Sequence, residues 1–150
     1  DGITLLPATT FLEDQMAAEG HLHGPAPSER DLEDIHFGKK IVKQTSALDI
    51  GQSIVVRRGT VLAVEGFEGT DECSKRGGKL GNGKDVTLVK VSKPAQDMRF
   101  DVPVIGPKTI ESCQEAGVRT IAVEAGKTLF LGLDEIKSKC SEGKITIFGF

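Results

Sequence analysis

Residues 53–67, "SIVVRRGTVLAVEGF", decide how the rest of the chain is arranged. Two runs rich in β-branched residues meet at Arg58-Gly59, the form of a hairpin with a short turn. A hairpin places antiparallel neighbours in whatever sheet it joins. The uninterrupted apolar run at 61–64, "VLAV", predicts a sheet covered on both faces.

Strands and helices alternate on either side of that hairpin. Residues 3–6, "ITLL", read as a strand, and "TTFLEDQMAA" follows with Phe11, Leu12 and Met16 spaced for one helical face. "GHLHGPAPS" reads as a loop, so that His21 and His23 are exposed histidines rather than a metal pair, while His36 falls within a helix, packed or on its surface. The strongest helix signal is "SERDLEDIHFGKKIVKQTSAL": Ser28 caps it, Asp31 stands three residues on, and Leu32, Ile35, Ile41 and Val42 fall near one face. "TDECSKRGG" predicts a short helix capped by Thr70 and ended by glycine. "GKLGNGKD" predicts a loop; its glycines and lysines lack the spacing of a phosphate-binding loop, and it leads into a strand.

Beyond it, "VTLVKV", "TIAVEAG", "TLFL" and "KITIFGF" read as strands, and "GPKTIESCQEAG" and "LDEIKSKCSEG" as helices. This order predicts a single α/β domain over residues 1–150, with a central mixed β-sheet flanked by helices. "LAVEG" and "IAVEAG" echo each other. If both are central strands, Glu65 and Glu124 emerge at the carboxyl ends, where open α/β sheets hold ligands.

Composition excludes several classes. The net charge of −3 lacks the basic footprint of a nucleic-acid binder. No apolar stretch approaches the ~18 residues of a spanning helix, so any membrane contact is expected to be peripheral. The three cysteines, Cys73, Cys113 and Cys140, are odd in number and never in a C-x-x-C pair, which predicts unreactive reduced thiols in a cytosolic protein. The chain begins at Asp1 and not at a methionine, which is expected of a domain excised from a longer protein.

The chemistry concentrates in "VKVSKPAQDMRFDVPVIGP", residues 89–107. Lys90 ends a predicted strand, and Lys93, Asp97, Arg99 and Asp101 follow on a loop stiffened by Pro94, Pro103 and Pro107, with Phe100 as an apolar anchor. Lysine and arginine suit phosphate oxygens; clustered carboxylates suit Mg²⁺ or a water molecule. The bland reading is a solvated loop whose charges pair among themselves, and the rigidity weighs against it. A second cluster, "VEGFEGTDE", places Glu65, Glu68, Asp71 and Glu72 around two glycines, with Thr70 opening a helix whose amides suit a phosphate. Its bland reading is a well-capped strand-turn-helix corner.

Blocks of this chain resemble, in order, the C-terminal domain of the UDP-2,3-diacylglucosamine pyrophosphatases of lipid A synthesis in Gram-negative bacteria, the two-domain type unrelated to the calcineurin-like metallophosphatases. The blocks are "GITLLPATTFLEDQMA", "DIHFGKKIV", "ALDIGQSIVVRRGTVLAVEGFEGTDE", "LVKVSKPAQDMRFDVPVIGPKTI" and "AGVRTIAVEAGKTLFL". The resemblance implies hydrolysis of UDP-2,3-diacylglucosamine to UMP and 2,3-diacylglucosamine 1-phosphate with Mg²⁺, in the cytoplasm at the inner membrane face. It also implies an N-terminal domain, absent from this chain, that closes over the substrate. An essential aspartate of the family falls on Asp97 or Asp101, the candidate catalytic residues, with Asp97 preferred. Lys90, Lys93, Arg99, Thr70 and Gln52 are the candidate substrate-binding residues, and Asp97, Asp101, Asp71 and Glu65 the candidate metal ligands. Ala95 departs from the glycine usual in the family. The alternative is a non-catalytic nucleotide or sugar-phosphate binding module with a regulatory role. A third reading is a plain interaction domain.

Overall fold

A computed structural model describes residues 2, 6–94, 96–99 and 101–150. The strand expected at 3–6 lies, but for Leu6, outside them, as do Ala95 and the anchor assigned to Phe100. A mixed sheet of six strands runs in the order β1 (Gly20–His23), β8 (Thr146–Gly149), β6 (Val118–Val123), β4 (Val86–Lys90), β2 (Ser53–Arg57), β3 (Thr60–Val64). β4, β6 and β8 are parallel; β1 and the β2–β3 hairpin supply the antiparallel pairs. A separate parallel pair, β5 (Val104–Ile105) and β7 (Leu129–Phe130), sits apart, so "TLFL" is a strand but not of the central sheet.

Strand alternation sends side chains to opposite layers. Ile54, Val56, Val89 and Ala122 pack with Ile35 and Val42 of α1 (Glu29–Ala47), whereas Val55, Leu88, Ile121 and Ile147 join the other core. That second core takes residues from α2 (Thr70–Leu80), α3 (Pro107–Glu115) and α4 (Leu133–Gly143). α1 begins as its sequence predicts: Ser28 accepts from the Asp31 amide and Asp31 accepts from the Ser28 amide, a reciprocal cap. The hairpin turn has positive φ at both central residues, 51° at Arg58 and 68° at Gly59, as a two-residue turn of this twist requires. Asp34 of α1, only 3% exposed, receives both turn amides at 2.8 and 2.7 Å, which holds Arg58 in a conformation unusual for its type.

Four expectations fail, three of them for nonlocal reasons. Residues 9–18 form no α-helix, only a 3₁₀ turn at Glu13–Gln15 without a side-chain cap. Instead the Ala17 amide donates to Thr128 O and Ala17 O accepts from Gly126, each at 2.8 Å, drawing the backbone out straight. The "GHLH" segment is the edge strand β1, paired to β8, with the His23 ring edge-on to Phe130 at 5.9 Å. Gly77 and Gly78 do not end α2. They lie within it, because a Cβ there would stand 2.4 Å from Val55 Cγ1 and 1.8 Å from Ala116 O respectively. Thr70 is the first residue of α2 rather than its cap, which is Gly69.

Candidate functional site at the carboxyl edge of the sheet

The antiparallel pairings of β2 with β3 and of β2 with β4 leave β3 pointing the same way as β4 and β6. Glu65, Lys90 and Glu124 therefore gather at one edge, although of the two echoed strands only β6 is central and β3 is an outer strand. On β4, Val86 and Leu88 enter the core beneath α2 and α3, and the next residue of that face is Lys90, 8% exposed.

Lys90 Nζ donates to Thr70 Oγ1 at 3.2 Å, and Thr70 donates to Glu65 Oε2 at 3.1 Å. With the Thr70 proton so engaged, Ser53 Oγ, 3.1 Å away, is the donor in their contact. Burial pushes the Lys90 ammonium below its ordinary range, opposed by the nearby charges of Glu65, Asp71 and Asp101.

Beside this network lies a cleft of about 600 Å³, lined by Asp49, Gly51, Gln52, Glu65, Lys93 and Asp101 among others. Gln52 is fastened to the strand end by its carbonyl, which accepts from the Val91 amide at 2.9 Å. A second hollow of about 520 Å³ shares Asp49, Lys93 and Asp101 and is bordered further by Gln96 and Asp97. Lys93 Nζ bonds Asp49 at 2.7 Å. Asp97 and Arg99 pair in bidentate fashion, with contacts of 3.0 Å from Nε and 2.7 Å from Nη2, on the exposed loop. That guanidinium holds the Asp97 carboxyl at about 2.

Of the residues singled out in the sequence, Lys90, Thr70 and Glu65 form one bonded network, and Gln52, Lys93 and Asp101 share the cleft with Glu65. Asp71 acts on Lys90 through its charge. Asp97 and Arg99 face each other one hollow away. Among the described residues no three histidine, cysteine or carboxylate side chains converge as a metal-binding group. Of the expected metal ligands, Glu65 and Asp101 line the same cleft, and Asp97 borders the adjoining hollow with Asp101.

Sequence reasoning missed Ser53, whose only signal was a small polar residue opening an apolar strand, and Asp49, which carried none. A larger cleft of about 730 Å³ lies at the opposite edge, but Asp34 and Asp31 there are bonded within the fold, to the turn amides and to Ser28 and Thr120. The cysteines are buried and free; burial pushes Cys73 and Cys113 to about 12 and Cys140 to about 11, so none is a ready nucleophile. No helix of the described residues is long and apolar enough to cross a membrane.

Fold and site together define an α/β domain with a mixed-charge cleft at the carboxyl edge of its sheet. The model of the LpxI C-terminal domain family matches residues 18–148, and the chain belongs to that family. It is similar to the UDP-2,3-diacylglucosamine pyrophosphatase LpxI of Caulobacter vibrioides, with 30% identity over 156 aligned positions covering 99% of this chain. The chain spans 56% of that relative's length.

Proposed function

We propose that the protein of which this chain is a part hydrolyses the pyrophosphate bond of UDP-2,3-diacylglucosamine, releasing UMP and 2,3-diacylglucosamine 1-phosphate for lipid A synthesis. Family membership supports the reaction class. The observation that carries the reading is Lys90: among the described residues its three N–H donors have one protein acceptor, Thr70, at 3.2 Å, leaving two uncommitted in the network that reaches the cleft wall through Glu65.

In this reading water attacks one phosphorus and the bridging P–O bond breaks. The leaving phosphate takes the electron pair, and the proton of water passes to solvent or a carboxylate. Lys90 and Lys93 stabilise the charge that moves onto the phosphate oxygens. Asp97, ionised at neutral pH beside Arg99, and Asp101, which borders both hollows, orient the water. Arg99 holds Asp97 in place. The reaction belongs at the cytoplasmic face of the inner membrane, with the remaining segment of the protein completing the cleft.

The test is UMP release by the full-length protein. Asp97→Asn or Asp101→Asn is expected to lower turnover by about a hundredfold, the scale of losing a group that acts at the transition state. Parental turnover in both variants refutes the assignment. Chelation of divalent ions in the same assay reads metal dependence directly. The alternative, a non-catalytic nucleotide or sugar-phosphate binding module, is favoured by the mutual neutralisation of Asp97 and Arg99; saturable UMP binding without hydrolysis would establish it.

A further inference from the structure

The carboxylate of Glu124 has no part in the proposed chemistry, yet it is 8% exposed at the end of the central strand β6. A buried carboxylate is strongly unfavourable unless it is hydrogen-bonded or paired. Here each oxygen is occupied. Oε2 accepts from the Ser92 amide at 3.1 Å and from the Ser92 hydroxyl at 3.0 Å. Oε1 accepts from Lys127 at 3.1 Å and lies 3.5 Å from Lys43 Nζ on α1. Three segments therefore converge on one side chain: the chain leaving β4, the turn after β6, and α1.

Where the carboxylate holds the chain is what matters. β4 and β6 run parallel with Lys90 opposite Val123, so Glu124 meets the chain just past β4. Ser92 is itself 9% exposed and stands between the two cations of the site, Lys90 and Lys93. Beyond Ser92 the loop continues through a turn in which Gln96 Oε1 accepts from the Lys93 amide at 2.9 Å, and the Asp101 backbone amide donates back to the Asp97 carbonyl at 2.9 Å. The chain enters that turn at Lys93, directly after the bonded Ser92. Burial alone would raise the Glu124 carboxyl; the bonds from Lys127 and Ser92 outweigh it and hold the group below its ordinary range, ionised and able to accept from all its partners.

We propose that Glu124 is the positioning residue of the charged loop: by fixing Ser92 it sets the angle at which the loop leaves β4, and so the placement of Lys93 relative to Lys90. The inference rests on the pyrophosphatase reading only for its activity readout.

The experiment uses the full-length protein with Glu124→Gln and Ser92→Ala, alone and combined. Glutamine keeps the size of the side chain but turns an NH₂ group towards either Ser92 or the lysines. Amide hydrogen exchange over 91–103 is expected to quicken about tenfold in Glu124→Gln while exchange in α2 and α4 stays parental, the pattern of a local opening. The value of kcat is expected to fall about tenfold to a hundredfold, the scale of a small misplacement, with KM moving far less. The double variant is expected to be no slower than Glu124→Gln alone, because both changes remove the same contact. Parental exchange over 91–103, or parental kcat, in Glu124→Gln overturns the proposal. If Glu124→Gln does not fold, Ser92→Ala decides: parental exchange and kcat there overturn it, and faster exchange with lower kcat sustains it. Should the parent release no UMP, the pyrophosphatase reading fails while the exchange measurement still judges the anchor.

Discussion

Thr70→Val tests the polar network under the cleft. Valine matches threonine in shape, so the packing of the first turn of α2 is kept while one hydroxyl disappears. That hydroxyl accepts from Lys90 at 3.2 Å and from Ser53 at 3.1 Å, and donates to Glu65 at 3.1 Å, so three groups each lose a partner. Orphaning a buried polar group costs about 1–3 kcal/mol; Glu65 borders the cleft and recovers water, which brings the expected total to about 2–4 kcal/mol rather than the full sum. Urea unfolding followed by far-UV circular dichroism measures it. In a Lys90→Met background, where no ammonium needs an acceptor, Thr70→Val is expected to lose only about 1–2 kcal/mol. The pH dependence gives an independent check. Burial lowers the folded Lys90 below the ordinary 10.5, so between the folded value and 10.5 the unfolded chain binds more protons and stability rises with pH. Below the folded value both states are protonated and the slope vanishes. Thr70→Val removes an acceptor of the ammonium and extends the rising window to lower pH. A loss below about 0.5 kcal/mol, the range of a neutral surface change, with the window unmoved would refute the network as a stabilising unit.

Two further predictions follow from particular contacts. The Asp97 carboxyl, followed by carbon NMR, is expected to titrate near 2 and to return towards 3.8 in Arg99→Gln; any stability it confers is present above 3.8 and lost as pH falls through 2, and an unshifted midpoint in the parent would contradict the bidentate pair. Gly77→Ala, which in an exposed helix would gain about 1 kcal/mol, is expected instead to lose about 1–3 kcal/mol, because its Cβ would stand 2.4 Å from Val55; a gain in melting temperature would show that α2 stands farther from the sheet.

What could be read from the sequence was local. Ser28 with Asp31 three residues on marked the start of α1, and Arg58-Gly59 between two β-branched runs marked the hairpin, because caps and tight turns are decided by neighbours in the chain. Lys90 was legible too, as a charge ending an apolar strand. The edge strand β1 was not, since its identity comes from β8, more than a hundred residues away. Nor could Lys93 be matched with Asp49, 44 positions earlier, or Glu124 with Ser92, 32 positions earlier, since neither pair has a fixed spacing. Gly77 and Gly78 misled because glycine ends helices and also admits close neighbours, and only the sheet beneath says which applies.

The clamp of Asp34 on the hairpin turn reaches across the whole sheet. Side chains alternate along a strand, so one residue added to the turn, if taken up as a one-residue shift in β3, would turn Glu65 to the other face and Thr70 would lose its acceptor. The length of the turn at one edge thus dictates the chemistry at the other. Among the described residues Asp34, Arg58 and Gly59 are not part of the cleft lining, yet they act as its gauge.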